Sequence, residues 1–446
     1  MPESIAANSH ADVASYPPEN YAWYVVVILF LAYVVSFLDR QILTLMVDPI
    51  RQYFQVSDTL IGALHGTAFA IFYTAFGVPL GRLADSSNRK RIIIGGVSLW
   101  SVMTSLCGFA GNIVQLFAAR IGVAVGEASL SPSAYSIISD YFPREKRGRA
   151  ASFYSLGIFA GAGLAFIFGG IVVQVAASTQ RLAVLEGFEP WQLAFLFAGV
   201  PGILIVTLML SIREPKRRER YKDGQGSVPI REVAAYIIQH GRAYGSIVVG
   251  VGFVAMGANT LFAWFPTYFI RVYEYTPAEI GLAFGGILLV CGTGGLLSSA
   301  SLADLKYRNG RRGAHLGVAT LFTAIAILPT VAMFFISSAW FALLAVAILV
   351  FALSAHTGLV PAALQLITPN ELRGQVIALY LLFTSIVGLA LGPPTAGLIT
   401  DRIFANPLAV GQSMTIVMGV AFAIGVILFR FGYAAYEHRQ QELPSQ

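Results

Sequence analysis

GRLADSSNRKR, residues 81–91, returns in a second version as SLADLKYRNGRR, residues 301–312. Each copy follows a long apolar run and joins a Leu-Ala-Asp triplet to a basic cluster. A second pair keeps the same order. PREKRG with a tyrosine downstream (Pro143 to Tyr154) is answered by PNELRG with a tyrosine downstream (Pro369 to Tyr380). The offset is 219 residues from Asp85 to Asp304 and 226 from Pro143 to Pro369. Two matched pairs at nearly one spacing mark an internal duplication.

What is duplicated is apolar. Of 446 residues, 56% are hydrophobic and 12% charged, against about a quarter charged in soluble domains. A bilayer crossing needs about 20 apolar residues. Twelve such runs follow one another, from about 22–47 to about 410–436. Runs of this length exclude a barrel, whose strands would alternate every second residue. The longest polar interval, REPKRRERYKDGQGSVPIREV at 213–233, falls between runs six and seven. The expected organisation is a disordered cytoplasmic tail (1–20), a six-helix bundle (21–212), a cytoplasmic linker (213–242), a second six-helix bundle (243–437) and a short tail (438–446). The first 20 residues contain no Lys or Arg, so no signal peptide is expected there.

Charge placement orients the chain. Of 29 Lys and Arg, 23 fall in the even-numbered connections and the carboxy-terminal end. Arg51, Arg181, Arg271 and Arg402 fall on the opposite side, and Arg40 and Arg120 lie within spans. The positive-inside rule then places both termini in the cytoplasm. Both halves run the same way, a parallel repeat about an axis along the membrane normal. These loops account for the net charge of +6 without a nucleic-acid partner. Cys107 and Cys291 sit in apolar runs and suggest neither a disulfide nor a metal site. No cofactor is expected.

Six plus six helices with a G-x-L-A-D-x-x-x-R-K loop resemble the major facilitator superfamily of secondary transporters. The loop residues are Gly81, Leu83, Ala84, Asp85, Arg89 and Lys90. The family's usual Arg after the Asp is Ser86 here, and its usual Gly is Asn88, which tolerates a left-handed turn. A narrower resemblance rests on FLDRQ in the first span, NRK at 88–90, and R-x-G-x-x-x-G-E-A-S from Arg120 to Ser129. Together these look like the spinster branch, which implies transport of lysophospholipids or sphingolipids. Gly-Glu endings on the fourth helix also occur in organic-anion transporters.

Asp39, Arg40, Arg120 and Glu127 are the four charges well inside the spans. A charge at bilayer depth is costly and rarely kept unless paired or used. Helical rise puts Arg120 roughly 12 Å and Glu127 roughly 22 Å from the outer face, with Asp39 about 24 Å from the inner one. Arg120 and Glu127 are seven residues apart on one helix face, so a direct pair would be stretched, and a cluster between helices one and four is expected. One reading is a structural ion-pair network. The other makes Asp39 and Glu127 proton carriers, with Arg40 and Arg120 as partners or as binders of a substrate headgroup. Desolvation and a nearby arginine push a carboxyl group's proton affinity in opposite directions, so such a site can switch.

Other polar positions fit two roles each. His65 and His356 are packing residues or proton relays. Asn259 and Gln365 line a cavity or bridge helices, and Tyr154, Trp264, Tyr268 and Tyr380 are cavity walls or packing. Gly157, Gly161, Gly163, Gly169 and Gly170 on the fifth span permit close helix contact. The basic run at 216–220 is expected to be solvated. Asp85 and Arg89 are expected to gate the cytoplasmic side by pairing across the halves, with Lys90, Asp140 and Arg147 joining them and Asp304 repeating the position.

Three functions compete. The first is a proton-coupled transporter of a lipid-like amphiphile in the cell membrane, a monomer whose partners are substrate, protons and membrane lipids. All four deep charges lie in the first half, and a cavity polar on one wall and apolar on the other suits a headgroup with a tail. The second is a proton-coupled carrier of small organic anions. The third is a membrane sensor. Neither G-x-S-G nor H-E-x-x-H occurs, so no hydrolytic machinery is visible and no enzyme is expected.

Overall fold

The protein is known from a computed structural model that describes residues 16–179, 187–217 and 229–442. Most of the tail expected over 1–20, Arg181, the linker residues 218–228 and the last four residues lie outside these. Of that tail, Glu19 and Asn20 already belong to the first helix.

Twelve long helices carry the chain. They are α1 (Glu19–Leu45), α2 (Asp58–Ser86), α3 (Arg89–Cys107), α4 (Ile113–Tyr141), α5 (Glu145–Thr179), α6 (Pro190–Ser211), α7 (Gly241–Tyr273), α8 (Pro277–Arg308), α9 (Ala314–Met333), α10 (Ala339–Leu366), α11 (Glu371–Phe404) and α12 (Pro407–Glu442). Eleven are long and apolar enough to cross a membrane by composition alone. The exception, α3, begins with Arg89, Lys90 and Arg91 and carries several hydroxyl side chains. Leu328, Val290, Val114 and Phe335 stand more than 70% exposed on the outer surface of the helices, as lipid-facing side chains do.

Local chemistry sets where the helices start and bend. Asn88 does not take the left-handed turn expected of it. Its backbone is extended (φ −74°), and its side chain accepts from the Arg91 N–H to cap α3. Arg217 is not part of a solvated run either. Its guanidinium donates to the carbonyls of Ala84 and Ser87, at 2.5 and 2.7 Å, and so satisfies the open end of α2. α2 breaks at Gly66, and α4 breaks after Glu127, where Ala128 and Ser129 precede a new helical segment. π-helical turns interrupt α8 at Leu288–Gly292 and α11 at Ser385–Ala390. Such turns widen a helix locally and recur at functional positions.

The two bundles, α1–α6 and α7–α12, meet toward one face only, the one opposite the Leu-Ala-Asp loops. There the backbones nearly touch. A Cβ on Gly163 of α5 would lie 2.7 Å from the Gly285 carbonyl of α8, and one on Gly170 would lie 2.7 Å from that of Pro277. Gly62 of α2 would meet Pro393 of α11 at 2.6 Å in the same way. Thr67 donates to the Ala390 carbonyl at 2.6 Å, across the bundles. Gly157 and Gly161 instead receive Tyr33, Phe37 and Val34 of α1, inside the first bundle. The buried apolar side chains follow this geometry. One cluster lies within α1–α6, and the other joins the second bundle to the sealed side of the first, with residues from all six of its helices, such as Leu45, Leu64, Cys107, Leu116, Phe166 and Phe195.

If these glycines permit closure, Gly163→Val should force the bundles apart at this face. Spin labels at the exposed positions Gln52 and Arg402 should then report a longer distance. Gly286→Val, whose Cβ would meet nothing within 4 Å, should leave it unchanged.

Candidate functional site

Between the bundles, toward the face of the Leu-Ala-Asp loops, lies a cavity of about 340 Å³. The first bundle contributes Arg40, Ile158 and Phe159, and the second contributes Asn259, His356, Tyr380 and a larger set of apolar side chains. Arg40 is the one charged residue in that lining. Of the sequence candidates, the cavity therefore gathers Arg40, Asn259, His356 and Tyr380. His356 is turned into its own bundle, held by Thr323 Oγ1 at 2.7 Å and the Leu353 carbonyl at 3.1 Å, with its ring on Phe429. Asn259 donates to the Ala255 carbonyl at 2.8 Å.

Three expected lining residues lie elsewhere. Tyr154 is buried inside the first bundle, stacked on Tyr33 with ring centroids 5.0 Å apart. Trp264 is buried at the sealed side, and its indole N–H donates to the Pro393 carbonyl at 2.8 Å. His65 borders a separate space of about 10 Å³ beside Trp264 and Thr44. Both residues sit beyond the plane where the bundles close, which removes them from the open cavity.

The four deep charges form an inter-helix cluster behind the cavity wall. Arg40 Nη2 donates to Glu127 at 2.6 Å. Arg40 also lies 4.3 Å over the Phe69 ring, with Phe37 and Tyr73 close by. Glu127 closes α4 at its helix break, where the negative end of the helix dipole adds no support to a carboxylate. Depth along the axis suggested Arg120 as the nearer neighbour of Arg40. Instead the long Arg40 side chain reaches along its helix to Glu127, as long cationic side chains do. Arg120 is fully buried, and its Nη1 donates 2.8 Å to the backbone carbonyl of Asp39, not to the carboxylate. Both carboxylate oxygens of Asp39 are buried without a hydrogen-bond partner, as are Nε and Nη2 of Arg120. An unpaired buried carboxylate is strongly disfavoured when ionised. The site thus holds one formed ion pair and one acid with only Thr104 and the Arg120 guanidinium beside its carboxylate.

The cytoplasmic-gate candidates separate. Arg89 is fully buried within the first bundle, bonded to Asp140, to Glu214 at 2.8 Å, and to Ser136 Oγ at 3.0 Å. Lys90 donates to the Leu210 carbonyl, and Arg147 to that of Phe142. Arg89 and Lys90 therefore tie the ends of α3, α4 and α6 together in one bundle and do not reach across. Asp85 is exposed at the end of α2, where none of the described residues pairs with it, and Asp304 is exposed 3.8 Å from His315.

The sequence reading passed over the opposite face. There Arg271, at the end of α7, spends all five guanidinium N–H groups. It bonds Asp48 at 2.7 and 2.9 Å, Asp58 at 2.7 and 2.8 Å, and the Pro407 carbonyl at 3.1 Å. Asp48 and Asp58 belong to the first bundle. Asp401 of α11 reciprocates, accepting from the Thr59 N–H at 2.7 Å and the Asp58 N–H at 3.2 Å. It sits at the positive end of α2, where a carboxylate is favoured. The signal was present in the sequence as three acids and one arginine beside span ends, but nothing in their spacing joins them.

Two six-helix bundles, sealed at one face and enclosing a charged cavity open toward the other, define a multi-pass membrane transporter. The chain belongs to the Major Facilitator Superfamily, whose sequence profile matches residues 29–393, and within that family it is spinster-like. It is 24% identical over 437 residues to an MFS-type efflux pump of Mycolicibacterium smegmatis, covering 98% of this chain and 97% of the relative. It is 27% identical over 393 residues to the sphingosine-1-phosphate transporter SPNS2 of Xenopus tropicalis, covering 84% and 73%. The crystal structure of a bacterial homolog of the human lysosomal transporter Spinster, inward-facing and unoccupied, superposes with a TM-score of 0.76. That protein is 28% identical, and the match covers 95% of this chain and 98% of that one.

Replacing Arg271 by Gln would leave Asp58, which is fully buried, with only Arg51 at 3.4 Å. Breaking a buried pair costs on the order of 3–5 kcal/mol, and here the loss falls on the sealed state alone. In a background lacking Cys107 and Cys291, a cysteine at Ala263 should become reactive to an impermeant maleimide applied from this face. An unchanged labelling rate in Arg271→Gln would show that the clamp does not hold the seal.

Proposed function

We propose that this protein is a proton-coupled transporter of an anionic amphiphile, of the lysophospholipid or sphingolipid type, working by alternating access. On this reading the basic loops and both termini lie in the cytoplasm, the open cavity faces inward, and the protein works as a monomer in the cell membrane. The observation that carries this reading is Arg40. It is the single charge on an otherwise mostly apolar cavity wall, and it is held by Glu127. A headgroup can take the guanidinium while a tail lies against Val254, Phe262 and Leu353 of the second bundle. A small anion without a tail would leave that apolar wall unused, which favours the amphiphile.

The coupling follows from competition. Glu127 and an anionic headgroup both need the same guanidinium. A proton on Glu127 releases Arg40 for substrate, and substrate on Arg40 releases Glu127 to take a proton. Each therefore raises the affinity for the other by the same factor. Asp39, outside the formed ion pair, is the second proton site, and Arg120 holds the α1 backbone beside it. Asp85 acts at the cytoplasmic gate, meeting the opposing bundle when that side shuts.

The test uses two variants. Asp39→Asn keeps the shape of the side chain and an acceptor for the Thr104 hydroxyl beside it, and should leave the Tm nearly unchanged. Glu127→Gln keeps an acceptor for Arg40 but cannot take a proton. It should bind sphingosine-1-phosphate or a lysophospholipid as tightly as the wild type at acid pH, with the pH dependence of binding gone. In liposomes, flux driven by a pH gradient should fall to background in both. A sharp drop in Tm with joint loss of binding and transport would instead make the cluster a structural ion-pair network.

A further inference from the structure

At the terminal face of the second bundle, away from the transport cavity, the start of α7 and the end of α12 enclose a second pocket of about 340 Å³. Its polar lining is His240, Arg242, His438, Arg439 and Glu442, with Gln239 at the edge. Two permanent cations thus face one carboxylate. Arg242 lies 4.6 Å over the Phe431 ring and bonds the Phe431 carbonyl through Nε alone, at 3.3 Å. Its two terminal nitrogens have no partner among the described residues. Arg439 is tied to Glu442 at 2.6 Å and to the Tyr236 hydroxyl, but its Nε is buried and unbonded. His240 shows the resulting field, because burial and then the Arg439 guanidinium hold it below the ordinary imidazole value.

The border of the pocket is apolar and faces outward. Phe431 is 57% exposed and Ile238 78% exposed, on a helix that spans the membrane and on the short helix Ile230–Gln239 that precedes α7. A soluble anion has no use for that border, whereas an acyl chain does. We propose that this pocket binds the phosphate of an anionic phospholipid from the leaflet at this face, with its chains against Phe431 and Ile238. Basic pockets between helix ends at the cytoplasmic surface are suited to such headgroups. The bound lipid would join the linker helix to α12 and replace Glu442 as the partner of Arg439. This site is independent of the transport reading, since none of its residues borders the central cavity.

Native mass spectrometry of the purified full chain with phosphatidylglycerol and phosphatidylcholine tests the assignment. Wild type should retain phosphatidylglycerol preferentially. Arg242→Gln should weaken that retention about fivefold, the contribution of one arginine near an anionic headgroup, while phosphatidylcholine binding stays the same. Glu442→Gln removes the competing carboxylate and should strengthen phosphatidylglycerol binding by a similar factor, a gain that misfolding cannot mimic. Equal retention by wild type and both variants would overturn the site. A Tm rise with millimolar inorganic phosphate that matches the rise with phosphatidylglycerol would overturn the lipid as its occupant.

Discussion

One guanidinium closes this molecule. Arg271 spends all five of its donors on two carboxylates of the other bundle and one carbonyl of its own. Asp58, the more buried of the two acids, has no exposure at all. A clamp of this kind contributes little to folding, because desolvation of the three charges offsets most of their attraction. Its effect is conformational. It exists only while the bundles touch at this face. The glycine contacts below it set how near the backbones come, and the clamp sets whether they stay.

The cavity inherits its shape from that closure. With α5 pressed on α8 and α2 on α11, the same rigid bundles must part toward the opposite face. Helix breaks deliver the chemistry to the space between them. The first segment of α4 stops at Glu127, and α11 widens in a π-helical turn at Ser385–Ala390, whose Ser385 and Leu389 join the lining. Irregular backbone is tolerated at membrane depth where it lines a cavity.

Charge is distributed unequally between two halves that share an ancestor pattern. The first half keeps an ion pair and a second buried acid near the cavity, and the second offers an apolar wall with a few hydroxyl and amide groups. The bilayer makes each of these charges expensive, so their retention on one side only gives the cavity one charged wall and one apolar wall. The Leu-Ala-Asp loops show a comparable divergence. Arg89 is locked inside its bundle by Asp140 and Glu214, whereas Asp85 stays exposed.

The number of spans, their grouping into six and six, and the four deep charges were legible in the sequence, because in hydrocarbon a polar residue is rare enough to stand out alone. Asn88 and Arg217 were misread for a local reason, since capping depends on which backbone groups a helix end leaves open. Partner choice was out of reach. That Arg40 holds Glu127 depends on how far one side chain reaches along its own helix toward a neighbouring one. That Arg271 meets Asp48 and Asp58 depends on contacts between residues 223 and 213 positions apart. A charge beside a span end looks the same in sequence whether water or another bundle faces it. Only the packing of the two bundles decides which.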